Sequence, residues 1–331
     1  MKYTVFSKLN CFDHEIKQKE EMLKLGKLDF MVEKKPLHIH YDSPLNHPDL
    51  GDRLNIVGTR EVAVVRTDKR DWLGTVGANF GIVQNDEVAD ICDVWIQNGE
   101  ASYVAAGAPN LGERIYIILK TNGVLNLGST DQDNIENYFF LSSAFDGSEA
   151  IVGYPSPIHL RSNSILVFPD HKHGAIKIKH SRYAVRRVSA AKKILTHVMT
   201  FWQRFVNTFE MIKDISMTDE MVKGYFEAVV EDNPTAESNT RAENIRAEIL
   251  DLYKKGPSSQ MPYAQNTLFG AYLACTTYAD HHKTVRKSNK RDEVGAQIHA
   301  KLIGDGARMK AEALGFAVKM AEQFAKVNPN V

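Results

Sequence analysis

Cysteine is scarce in this chain: Cys11, Cys92 and Cys275 lie far apart, and no C-x-x-C pair exists. That argues against a disulfide framework or a cysteine-built zinc site and fits a reducing compartment. No stretch approaches the roughly 20 apolar residues that span a bilayer. The opening run MKYTVFSKLNCFDHEIKQKEE lacks the apolar centre of a secretory signal. Net charge is also missing, with 41 Lys+Arg against 41 Asp+Glu. This rules out a surface positive all over, but a local basic face is invisible to the total.

Several motifs are absent too. The glycine stretch GTVGANFG (74–81) has neither the dinucleotide-binding spacing nor the phosphate-loop pattern, so its glycines read as turns. No G-x-S-x-G elbow and no H-E-x-x-H pair occur. His38-Ile-His40, His171-Lys-His173 and Asp280-His281-His282 lie in loops or beside lysines, which oppose a second cation. Asp131, Asp133 and Glu136 fail the calcium-loop test, because position six holds Glu136 and position twelve Ser142. No metal and no cofactor are expected. The Asp146-Gly147 pair between two apolar runs reads as the corner of a hairpin rather than a catalytic acid.

What is present is a core and a sharp charge asymmetry. Apolar residues make up 43% of the 331, enough for two modest domains or one large one with an appended part. Ile56–Arg66 alternates as a strand. Residues 85–99 read as a short helix capped by Asn85 or Asp86 and closed by Gly99. Residues 101–106 and 114–120 form one hairpin, and 138–144 and 150–154 a second. Further strands are expected at 165–168 and 175–179. Ala184, Val188, Ala191, Leu195, Val198, Trp202, Phe205, Phe209 and Ile212 then recur in steps of four and three, as one long amphipathic helix requires. Helices follow at 217–230, capped by Thr218, at 241–255, at 267–281 and over most of 294–327. The expected fold is α+β: a mainly antiparallel sheet with one or more helices on one face, then the long amphipathic helix and a helical C-terminal region. The expected units are an N-terminal segment (1–55), an α+β core with the basic helix (56–215) and the helical region (216–331).

From Arg161 to Lys213 there are eleven Lys/Arg against Asp170 and Glu210, so the segment carries 11 − 2 = +9. Residues 128–150 hold five acids and no base, for −5. Fixed cations at regular spacing near a helix start suit a phosphate backbone; a solvated face paired with the acidic stretch is the plainer reading. The candidate contacts are Arg161, Asn163, Lys172, Lys177, Lys179, His180, Arg182, Arg186, Arg187 and Lys193, with Tyr183 placed to stack on a base. Tyr116, Tyr138, Phe139 and Phe140 suit a core better than a stacking platform.

Six stretches in order carry a resemblance: WLGTVGANFGIVQNDEVADICD (72–93), AAGAPNLGERIYIILK (105–120), YFFLSSAFDGSEA (138–150), IHLRSNSILVF (158–168), IKIKHSRYAVRRVSAAKKIL (176–195) and NTLFGAYLACTTYADHH (266–282). Together they resemble the phage/plasmid-like protein family that carries domain of unknown function number 932, over about residues 55–315. At Leu160–Ile165 the chain departs from the family, keeping Asn163 and the flanking apolar residues but not a cysteine, so no role tied to that cysteine carries over. The resemblance implies a mobile element in a bacterial cytoplasm and brings no enzymatic activity with it. The architecture is also similar to phage single-strand annealing proteins of the RecT or Redβ sort, an analogy of shape. The leading expectation is a non-enzymatic, homo-oligomeric protein that binds single-stranded DNA or RNA in annealing or recombination, without a membrane partner. The alternatives are a structural or anti-defence protein acting by protein contact, and a metal-dependent hydrolase built on the acids around Asp131.

Overall fold

In a computed structural model the described residues are 6, 9–40, 56–166, 176–191, 196–235, 238–285 and 293–327. In chain order the elements begin β1 (Asn10–Ile16), α1 (Lys19–Leu25), β2 (Val32–His40), β3 (Ile56–Arg66), β4 (Trp72–Gly77), α2 (Asn85–Ala89) and α3 (Asp93–Gln97). Then come β5 (Ala101–Gly107), β6 (Arg114–Asn126), β7 (Asn134–Ala144), β8 (Ile151–Pro155), β9 (Ile158–His159), β10 (Ser164–Ile165) and β11 (Ile176–Ile178). The rest is helical: α4 (Ala184–Ala191), α5 (Thr196–Ile212), α6 (Asp219–Val229), α7 (Thr240–Lys255), α8 (Leu268–Thr277), α9 (Glu293–Leu302) and α10 (Asp305–Val327).

The main sheet runs β1-β5-β6-β7-β8-β11, antiparallel throughout, with β9 and β10 attached beyond β7. β2, β3 and β4 form a second antiparallel sheet. The fold is thus α+β, as the pattern of elements implies.

β6 and β7 lie at the centre and explain their own composition. Alternate side chains point to opposite faces of a strand. Ile115, Ile117, Leu119, Phe139 and Leu141 join one core, beneath helices that contribute Val88, Trp95, Ala184 and Val188. Tyr116, Ile118, Tyr138 and Phe140 join another on the reverse face, with Ile298 and Leu302 of α9. Both faces are covered, so the strands are apolar at nearly every position. The aromatics of β6 and β7 are buried, and none is free to stack on a base.

A third core belongs to the C-terminal helices. α8 is buried at all ten positions and sits among α5, α6, α7 and α10. Its first turn is capped by Thr267, whose hydroxyl accepts the Gly270 N–H at 3.1 Å. Thr218 caps α6 likewise, accepting from the Met221 N–H at 3.2 Å.

Two expectations change in the folded chain. The stretch 85–99 breaks into α2 and α3 through a tight turn in which Ile91, Cys92 and Asp93 N–H groups reach back three residues. Its cap is Gln84, whose N–H donates to Glu87 Oε2 at 2.8 Å, and Asn85 turns inward instead. The long apolar stripe does not serve one core. Ala184 and Val188 of α4 pack on the sheet, whereas Phe205, Phe209 and Ile212 of α5 pack in the C-terminal core. Within the N-terminal segment, β1 is an edge strand of the main sheet. The hairpin corner stands as read, with Gly147 at φ 74° and Asp146 Oδ1 accepting the Ser148 N–H at 2.9 Å.

Candidate nucleic-acid interface

The basic segment leaves the sheet at β11. Ile176 and Ile178 are buried and Lys177 and Lys179 are exposed, the alternation an edge strand with one wet face demands. The chain then turns through Arg182 and Tyr183 into α4, with the Ala184 N–H donating to Ser181 O at 2.7 Å. Arg182 and Arg186 are exposed at a spacing of four, one helical turn apart, and Tyr183 between them is 55% exposed.

No carboxylate pairs with Lys177, Lys179, Arg182 or Arg186 among the described residues. Three of the five acids in 128–150 are ion-paired, two of them by cations from outside the basic segment. Glu136 holds Lys120 at 2.7 Å and Glu149 faces Arg114 at 3.5 Å. Asp133 takes Arg161, whose Nε donates to Oδ1 at 2.7 Å. The paired-surface reading therefore applies to Arg161 alone. That arginine braces a loop, and its side chain is 41% exposed. Asn163 is a turn residue in the left-handed region at φ 52°, and its carbonyl accepts a hydrogen bond from His281 Nε2 at 3.0 Å.

His180 also differs from the expectation of a phosphate donor. Its Nδ1 donates to Gly81 O at 3.0 Å, so Nε2 is the acceptor for the Ser143 hydroxyl at 3.3 Å. The ring stacks on Phe80 with centroids 4.7 Å apart. Burial lowers its pKa, which keeps it neutral. Lys172, Lys193 and the side chain of Arg187 lie outside the described residues, as do His171 and His173.

The sequence reading missed what holds this segment in place. The glycine stretch 74–81 ends against it: Asn79 Oδ1 accepts from Arg182 Nη2 at 2.9 Å, and Phe80 and Gly81 both engage His180. A Cβ on Gly81 would lie 2.0 Å from Ser181 O, so only glycine lets the two backbones meet. The stretch is a buttress for the start of α4, and its glycine content was the sole signal. Gly81→Val is expected to shift the 181–183 turn and weaken oligonucleotide binding although it removes no charge. It should also cost about 1–3 kcal/mol in a urea titration.

Beside Lys177 a groove of about 600 Å³ opens between β8, β11 and the C-terminal helices, lined by Val152, Tyr154, Ile176 and Leu302 and by Arg308 and Glu312. Arg308 is paired there with Asp305 at 3.2 Å and Glu312 at 3.9 Å.

The other candidates are spent on structure. Asp280 pairs with Lys310, His281 with Asn163 O and His282 with Glu248, so the Asp-His-His run reaches three different partners. Among the described residues no group of three His, Cys, Asp or Glu could hold a metal ion. No helix among them is long and apolar enough to cross a membrane.

A family model described as "Domain of unknown function (DUF932)" matches residues 72–300, a span that contains the glycine buttress, the acidic hairpin and the basic segment. No curated protein matches, and no solved structure does.

Proposed function

This chain belongs to the DUF932 family, and on that footing we propose that it is a non-enzymatic, oligomeric single-stranded nucleic-acid-binding protein of a phage or plasmid, acting in annealing or recombination in the host cytoplasm. One observation carries the reading. Lys177, Lys179, Arg182 and Arg186 form an exposed run without carboxylate partners among the described residues, and Tyr183 is exposed among them. Cations that no described carboxylate neutralises suit a polyanion, and an exposed aromatic ring among them suits an unpaired base. The annealing role rests on the likeness of a sheet followed by basic helices to phage annealing proteins, which is an argument from shape.

A gel-shift titration with a short single-stranded oligonucleotide tests it. Four phosphates neutralised should give a log K against log[salt] slope of about −2.8, at ~0.7 per phosphate on single strands. R182E/R186E should flatten that slope to about −1.4 and weaken binding most at low salt. Tyr183→Ala should lower affinity by about 1–3 kcal/mol and leave the slope alone, because stacking releases no counterion. Absence of any shift at low salt overturns the proposal.

A further inference from the structure

The turn that buttresses α4 is also where two cations from distant parts of the chain meet. Residues 77–80 close as a turn, with the Phe80 N–H donating to Gly77 O at 2.9 Å, and residues 77–79 are exposed. Lys34 stands opposite Val64 on β2, two strands away from β4 in the second sheet. Its Nζ reaches past the end of β4 and donates to Ala78 O at 3.1 Å. Arg182, at the start of α4, donates to the Oδ1 of the next residue, Asn79, at 2.9 Å. Adjacent Cα atoms are about 3.8 Å apart, so the two charges are held at neighbouring positions of one turn.

Like charges gathered on a surface repel each other unless an anion lies between them. Among the described residues no carboxylate pairs with Lys34 or Arg182, although Glu61 lies opposite Gly77 and Asp146 against Gly74. Lys35, the next residue along β2, differs: it pairs with Glu33 at 2.8 Å. Asn79 adds further donors. Its Oδ1 is taken by Arg182, so what it has left to offer is the N–H pair of Nδ2. Three side chains thus present N–H groups on one exposed turn, two of them charged, and a surface of that kind asks for an anionic oxygen. The fold holds the arrangement in place. Gly81 meets Ser181 backbone to backbone and Phe80 stacks on His180, which locks the turn to the start of α4.

We propose that this turn seats a phosphate of the bound single strand between Lys34 and Arg182, so that the strand runs from α4 across residues 77–80 on to the second sheet. This seat rests on the nucleic-acid reading above and adds to it a contact outside the basic segment. Lys34 becomes a fifth cation beside the four counted there, and it steepens the slope of log K against log[salt] by ~0.7.

Gel-shift titrations of the full chain with a short single-stranded oligonucleotide, between about 50 and 200 mM salt, test the seat. Lys34→Gln should flatten the wild-type slope by ~0.7, so the rise in salt costs wild type about 2.6-fold more affinity than it costs the variant. Lys34→Arg keeps the charge and should keep the slope. Lys35→Gln makes the same change in net charge on the same strand, but at a lysine already paired with Glu33, and should leave the slope at the wild-type value. A Lys34→Gln slope equal to that of wild type, a slope in Lys34→Arg as flat as in Lys34→Gln, or an equal flattening in Lys35→Gln overturns the seat. If R182E/R186E still weakens binding in that case, the nucleic-acid reading stands without it. No shift by wild type at low salt overturns both.

Discussion

Lys310→Met is expected to lower the free energy of unfolding by about 3–5 kcal/mol, the cost of leaving a buried charge without its partner. Lys310 and Asp280 are fully buried, with Nζ donating to Oδ1 at 2.7 Å. Burial pushes the Lys310 amine below its ordinary range, and Asp280 pulls it back up. The second carboxylate oxygen of Asp280 accepts the Ile165 N–H at 2.8 Å. Asp280 itself sits in the π-helical turn Tyr278–His282 that continues α8. One carboxylate therefore ties α10, the end of α8 and β10 together, just ahead of the basic segment. Methionine keeps the volume of the stem and removes the charge, leaving the carboxylate with one hydrogen bond. Lys310→Met with Asp280→Asn should recover part of the loss, because the neutral amide can still accept from Ile165. Urea midpoints of the three proteins decide it; a loss under about 1 kcal/mol in the single variant rejects the coupling.

His159 is expected to make stability fall by about 3 kcal/mol between pH 6.5 and 4. The ring is fully buried. The Ser162 N–H donates to its Nδ1 at 3.2 Å, so the proton sits on Nε2, which donates to the Tyr263 hydroxyl at 2.9 Å. Tyr263 in turn donates to Asp133 Oδ1 at 3.2 Å, beside the Arg161 Nε. The bond from the Ser162 N–H needs a neutral imidazole, since a second ring proton would face it. Burial lowers the His159 pKa from 6.5 to about 4, with Asp133 opposing and Arg161 assisting. A folded pKa below the unfolded one means that the unfolded chain takes up the proton first. The contribution is complete above about pH 6.5 and is lost as pH falls to about 4; ~2.5 units at 1.36 kcal/mol each give the figure. Hydrogen bonds from Arg161 hold Asp133 at about 2, so that carboxylate stays charged across the window. Burial also lowers His180 and His281, so wild type alone cannot assign the effect. Denaturant midpoints against pH should be visibly flatter in His159→Gln than in wild type. An unchanged pH profile in the variant places the titration elsewhere.

How much of this was legible beforehand depends on the range of the interaction. The hairpin corner at Asp146-Gly147, the Thr218 cap and the strand alternation at Ile176–Ile178 are set by neighbours within a few residues, and each could be read directly. The stripe from Ala184 to Ile212 was visible as a period, yet a period does not say which core receives it. Its two halves pack 20 residues apart in different cores. β2 was missed because its run VEKKPLHIH mixes charges into the alternation. The break between α2 and α3 was missed because both halves keep apolar residues at helical spacing.

The charge asymmetry shows the same division. Composition determined that residues 161–213 are basic and 128–150 acidic. Whether the two neutralise one another was a question of distance, and a linear chain carries no distances. Folding gave Glu136, Glu149 and Asp133 of the acidic stretch to Lys120, Arg114 and Arg161, and left Lys177, Lys179, Arg182 and Arg186 without a carboxylate among the described residues. It also brought Lys34 and Arg182 onto neighbouring residues of one turn. The sequence by itself determined the α+β class, the Thr218 cap, the Asp146-Gly147 turn and the sign of each segment, because propensity, alternation and charge are local. Only the tertiary structure decided which charges are spent and which are left exposed, because pairing is set by the packing of residues distant along the chain.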